Sequence, residues 1–119
     1  MEKPNIINER YPHTIKIVRV VKEYDEDDPF AEAVEREEIL YNKKGRSYTQ
    51  TTTEGNNVVD ENKRKASIPV RYDEWGAGKQ PLDGDKIYAT VGNNTEVGIV
   101  KDSEPDNNRT VVYWDLRRV

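Results

Sequence analysis

The chain has 119 residues, a formal net charge of −4 at pH 7, 34% hydrophobic residues and no cysteine. That length suits one domain. The missing thiols exclude disulfides and thiolate metal sites and fit a reducing compartment or an assembly inside a cell. No apolar run approaches the roughly 18 residues of a membrane span, and the acidic balance argues against a general nucleic-acid binder.

Met1 is followed by polar residues without an apolar core, so no secretory signal is expected. Residues 1–12 read as a flexible N-terminal arm, apolar only at Ile6 and Ile7, and residues 13–119 as one β-barrel domain with excursions at 23–38 and 51–62. Val and Ile far outnumber Leu, a preference that suits pleated, packed surfaces and points to an all-β fold.

Residues 13–22 read as the first strand. Ile15 and Ile17 share one face, Val18 and Val20 the other. This midway switch predicts a bulge or a barrel corner. His13 is the only histidine and, at a strand start, reads as solvated or hydrogen-bonded rather than as a base or ligand.

Residues 23–38 hold nine acidic side chains against the single base Arg36. Two structures compete there. Asp28-Pro29 can cap a short helix near 29–36 with Phe30 and Val34 on one face. Alternatively, the stretch is the tip of a long hairpin returning near Arg36. The β-type run Ile39-Leu40-Tyr41 favours the hairpin. The calcium-loop spacing is absent, so Asp25, Glu26, Asp27 and Asp28 read as a solvated tip.

Residues 39–53 read as a strand, a turn at Asn42-Lys43-Lys44-Gly45, and a second strand through Arg46-Ser47-Tyr48-Thr49-Gln50. Residues 51–62 form a polar excursion too long to be a simple connection. Lys63-Arg64-Lys65 leads into a strand with Ala66, Ile68 and Val70 inward. Pro69 lacks a backbone donor and predicts an edge position or an outward-facing Pro side. Residues 73–81 are a connector carrying Trp75. The turn Leu82-Asp83-Gly84-Asp85 then opens an antiparallel meander. Its strands are 86–91, 95–101 with alternating Val97 and Ile99, and 109–116, with Val112, Trp114 and Leu116 opposite Val111 and Tyr113.

No catalytic constellation stands out. A nucleophile–histidine pair would have to use His13, and no nucleophile elbow is present. Gly76-Ala77-Gly78-Lys79 fails the phosphate-loop pattern at Asp73 and Gln80. The expectation is a protein without enzymatic activity, cofactor or metal.

The order of features resembles the small head-closure proteins of tailed bacteriophages, the head–tail joining, adaptor or stopper proteins. The resemblance runs from His13-Thr14-Ile15-Lys16-Ile17 through Gly45-Arg46-Ser47-Tyr48 and Lys65-Ala66-Ser67-Ile68-Pro69-Val70. It continues in Leu82-Asp83-Gly84-Asp85-Lys86-Ile87 and ends in Glu104-Pro105-Asp106 with Thr110-Val111-Val112-Tyr113-Trp114. It implies a small antiparallel β-barrel, SH3-like or six-stranded, that forms a ring below the portal of a phage or prophage particle. Such a ring closes the DNA-filled head and docks the tail. The implied partners are a portal or adaptor protein, tail proteins and further copies of the chain, with packaged DNA met only in the ring lumen and no membrane. The implied locations are the virion and, during assembly, the bacterial cytoplasm.

In that frame Thr51, Thr52, Thr53, Glu54, Gly55, Asn56 and Asn57 are the loop expected to face the lumen or a connector protein. Asp25, Glu26, Asp27 and Asp28 are expected to face Lys63, Arg64, Lys65 and Arg71 of a neighbouring subunit, setting register through charge. Two other functions compete. A single-stranded nucleic-acid binder would stack bases on Tyr48, Tyr88, Tyr113 and Trp114 beside Lys43, Arg46 and Lys63 to Lys65. A peptide-binding barrel would need an aromatic groove, for which only Tyr72 and Trp75 offer support.

Overall fold

The computed structural model describes residues 10–28, 30–49 and 62–117. Its six strands are β1 (His13–Glu23), β2 (Val34–Thr49), β3 (Lys63–Ile68), β4 (Lys86–Val91), β5 (Asn94–Pro105) and β6 (Thr110–Leu116). All pairs are antiparallel, the order is β1-β2-β3-β6-β5-β4, and β4 returns to β1, so the sheet closes into a six-stranded barrel. The all-β expectation is met. No helix occurs among the described residues. The alternative helix near 29–36 is replaced by a turn and the start of β2, because Val34, Glu35 and Arg36 pair across to Glu23, Lys22 and Val21.

The barrel interior is filled by Ile15, Ile17, Ala66, Ile68, Ile87, Ala89, Val100, Val112 and Trp114, with Tyr41 at its margin. Each fully buried Ile or Val side chain here contributes about 1.5–3 kcal/mol relative to exposure. The irregularity expected at Ile17–Val18 is present in the β1–β2 ladder, but the bulged strand is β2 and not β1. Ile17 pairs with Tyr41 and Val18 with Ile39, leaving Leu40 as the extra residue. Ile17 and Val18 are both buried although adjacent.

Four expectations change. Residues 42–45 do not turn, and β2 runs straight through them. Gly45 is there for space: a Cβ would lie 2.5 Å from Ile15 Cγ1 and 2.8 Å from Ile68 Cγ2. The inward face of β5 is Gly98, Val100 and Ser103, while Val97 and Ile99 face outward and are half-buried. The Trp114 indole dictates this, because a Cβ on Gly98 would meet its Cε3 at 2.3 Å. β5 also continues to Pro105 past a bulge at Lys101, between the pairs Val100–Trp114 and Asp102–Tyr113, shortening the expected loop. Finally, of the two alternatives for Pro69 the edge strand does not hold: β3 pairs with β2 and β6 and stops at Ile68, and Pro69 lies exposed just past its end.

The connector between β3 and β4 is held by a polar knot. Arg19 on β1 donates through Nε and Nη2 to the two carboxylate oxygens of Asp85, both at 3.0 Å, and also to the carbonyls of Gly78 at 2.6 Å and Gln80 at 2.9 Å. Asp85 additionally accepts from the Leu82 amide at 2.8 Å. The bond to Asp85 raises the Arg19 pKa, against the opposing effect of burial. Nearby, Ser103 donates to the Pro81 carbonyl and accepts from Gln80. At the far end of the connector, Trp75 Nε1 donates to Thr110 Oγ1 at 2.9 Å, and Thr110 donates onward to the Val70 carbonyl at 2.7 Å. This fixes Trp75 over the core next to Tyr41, with ring centroids 6.4 Å apart.

Candidate assembly surface

β4 pairs with β1 only from Thr14 to Val18, and β3 pairs with β2 only from Arg46 to Thr49. Beyond these limits the β1–β2 hairpin has no third strand among the described residues. Its outer half, with Arg19 opposite Glu38 and Glu23 opposite Val34, is therefore a two-stranded ribbon. Its base is fastened by Arg19 and by an ion pair between Lys79 and Glu38. Farther out, Arg36 Nε meets Glu23 Oε1 at 2.8 Å, a pair too exposed to contribute more than about 1 kcal/mol.

The tip carries Asp25, Glu26, Asp27 and Asp28, all exposed. Asp25 accepts the Asp27 amide and Asp28 accepts the Phe30 amide, local turns that suit Asp side chains. None of the four forms an ion pair among the described residues. Apolar surface accompanies them: Phe30 is 94% exposed, Tyr24 71%, Val34 65% and Ile39 57%. An acidic ribbon thus presents an unburied aromatic at its end.

The four basic positions expected to oppose this tip are not assembled into one patch. Arg64 lies at one end of the barrel, opposite Trp114 in the ladder, and reaches Glu96 at 3.4 Å. Lys65 sits between two tyrosines on the outer face, with Nζ 5.7 Å from the Tyr48 ring centre and 5.4 Å from that of Tyr113. Arg71 lies past the opposite end of β3 and pairs with Asp73 and Glu74. Lys63 is exposed at the start of β3. The loop residues Thr51, Thr52, Thr53, Glu54, Gly55, Asn56 and Asn57 lie outside the described residues, as do Ile6 and Ile7.

The lysines expected to turn the chain stand elsewhere. Along the strand-free edge of β2 a cleft of about 460 Å³ is lined by Thr14, Tyr41, Lys43, Lys44 and Pro69, and its accessible wall is almost wholly apolar. A second cleft shares Tyr41 and Lys43 and continues past Ile39, Leu40, Val70 and Trp75. Tyr41 donates its hydroxyl to the Lys44 carbonyl, and burial, with Tyr11 nearby, pushes its pKa up to about 12. The phenol therefore stays neutral and its ring remains part of the apolar wall. Lys43 and Lys44 are exposed and form no ion pair among the described residues. The two lysines are visible in the sequence, but their place on a cleft depends on β2 running on instead of turning.

Other expected ligand groups have structural duties. Trp114 is 1% exposed and belongs to the core. Tyr113 donates to Glu104 Oε2 at 3.2 Å, and burial first, then Glu104, raises its pKa. Tyr88 lies under Lys16. Tyr48 and Tyr113 therefore share their face with a carboxylate, which disfavours a phosphate backbone. His13 Nδ1 accepts the Ser47 amide at 2.9 Å, and burial, with Arg46 nearby, lowers its pKa. Of the two roles read from sequence, solvated or hydrogen-bonded, this is the second. Among the described residues no group of three or more His, Cys, Asp or Glu could hold a metal ion, and no helix is long and apolar enough to cross a membrane. No family model, curated protein or solved structure matches this chain.

Proposed function

We propose that this chain is a structural subunit of a tailed-phage or prophage particle. In this reading it forms a ring below the portal that closes the DNA-filled head and docks the tail, with no catalytic role. The observation that carries the reading is the ribbon that leaves the barrel and ends in exposed Tyr24 and Phe30. A two-stranded ribbon is marginal in water by itself, and burying one such aromatic against a neighbour contributes about 1.5–3 kcal/mol. A projecting arm of this kind suits a protein completed by assembly, and the order of sequence features supplies the head-closure assignment. The portal or adaptor, the tail and further copies of the chain are the partners this reading requires, in the virion and, during assembly, in the bacterial cytoplasm.

Electron microscopy of particles from a phage or prophage lacking this gene tests the proposal. Complete free tails beside heads that have lost their DNA are expected. Intact joined virions would overturn it.

A further inference from the structure

We infer that the acidic hairpin tip of one copy docks in the Tyr41–Pro69 cleft of a second copy, with Phe30 against the apolar wall and Asp25 to Asp28 facing Lys43 and Lys44. This rests on the ring reading and names the contact that would build the ring.

Three observations meet here. Phe30 is the most exposed large apolar side chain among the described residues, at 94%. The cleft wall is apolar and roomy at about 460 Å³, with two exposed lysines at its rim. The charges are complementary, and none of Asp25, Glu26, Asp27, Asp28, Lys43 or Lys44 has an ion pair inside its own chain among the described residues. By contrast, Arg64 and Arg71 are already paired.

The contact must join two copies. At about 3.3 Å per residue, the stretch of β2 from Val34 to Lys44 puts the tip roughly 30 Å from the cleft of its own chain. Tip and cleft are different surfaces, so the contact is heterologous, and repeating it yields a ring if the rotation closes.

The cysteine-free sequence makes the test clean. Full-length Phe30→Cys is mixed with full-length Lys44→Cys under mild oxidation, with Lys63→Cys as the control partner. A Phe30→Cys/Lys44→Cys disulfide between copies is expected, and its absence, or equal coupling to Lys63→Cys, overturns the inference. In sedimentation across a concentration series, Phe30→Ala and the double variant Lys43→Glu/Lys44→Glu should each weaken self-association about tenfold or more. Combining the lysine reversals with Asp25→Lys/Asp27→Lys should restore it. All these positions are exposed, and a thermal melt of each variant checks that it folds. Unchanged association of both variants, a monomer at every concentration, or an Ile6→Cys/Lys44→Cys disulfide within one chain each overturns the docking. Complementing gene-deleted particles with the Phe30→Ala gene separates the two ideas. Normal closure by that variant defeats the docking alone, whereas joined virions without the gene defeat the head-closure reading.

Discussion

Replacing Gly98 by alanine tests the reason the inner face of β5 differs from its apolar pattern. Gly98 has no positive φ, so alanine meets no conformational objection. By entropy alone, the change should stabilise the protein by about 0.4–1 kcal/mol. Packing opposes it. The new Cβ would lie 2.3 Å from Trp114 Cε3, 2.7 Å from Cζ3 and 2.3 Å from the Asp115 carbonyl oxygen. Carbon atoms sit comfortably at about 3.5–4.0 Å, so the indole or the strand must retreat by more than about 1 Å. The indole is enclosed in the core, and Asp115 is held in ladders with Ile99 and Lys63. Overpacking of this kind costs about 1–3 kcal/mol and at times more. Against the entropic gain, the expected net loss is about 1–2 kcal/mol, or a melting temperature lower by about 5–10 °C. Urea unfolding followed by tryptophan fluorescence and circular dichroism measures it. Gly76→Ala is the control, because its Cβ meets only the flexible Lys79 side chain at 3.2 Å, and it should match the parent or exceed its stability by up to about 1 kcal/mol. A Gly98→Ala protein as stable as the parent, or more so, would refute the packing argument.

Arg19→Met should cost about 3–5 kcal/mol in chemical unfolding, because it strands the nearly buried Asp85 carboxylate. Glu23→Gln, at the exposed pair with Arg36, should cost no more than about 1 kcal/mol in the same assay. Thr110→Val keeps the shape but leaves Trp75 Nε1 and the Val70 carbonyl without their partner, costing about 1–3 kcal/mol and disturbing Trp75 fluorescence. The single histidine gives an unambiguous NMR titration. The pKa of His13 in the folded protein should fall below the ordinary 6.5, so the unfolded chain binds the proton more readily. Its contribution to stability is then complete above about pH 6.5 and lost as pH falls through the folded value. Titration of His13 at or above 6.5 would contradict the burial assigned to it.

Much of the architecture was legible because local alternation and turn chemistry agree. The β-rich apolar set, the Gly84 and Gly92 turns, the face switch after Ile17 and the alternation of Ile87 with Ala89 all point to strands whose pairing the structure bears out. The hairpin over 23–38 was legible for a different reason: β-type residues resume soon after the acidic run. The charges at its tip could be counted, but which cations remained available could not. Arg64 and Glu96, and Arg71 and Asp73, find each other only when strands and connector are placed.

Sequence alone determined that this is an antiparallel β protein with an acidic excursion and a three-stranded meander, because those properties reside in residue type and spacing. Tertiary structure decided which glycines turn and which make room. Gly45 looks like a turn residue until Ile15 and Ile68 are seen against it, and Gly98 interrupts an apolar alternation until the Trp114 ring fills the space it leaves. It also decided that Lys43 and Lys44 border an apolar cleft instead of capping a loop. A strand's period says which residues share a face, whereas the volume available on that face is set by side chains from other strands.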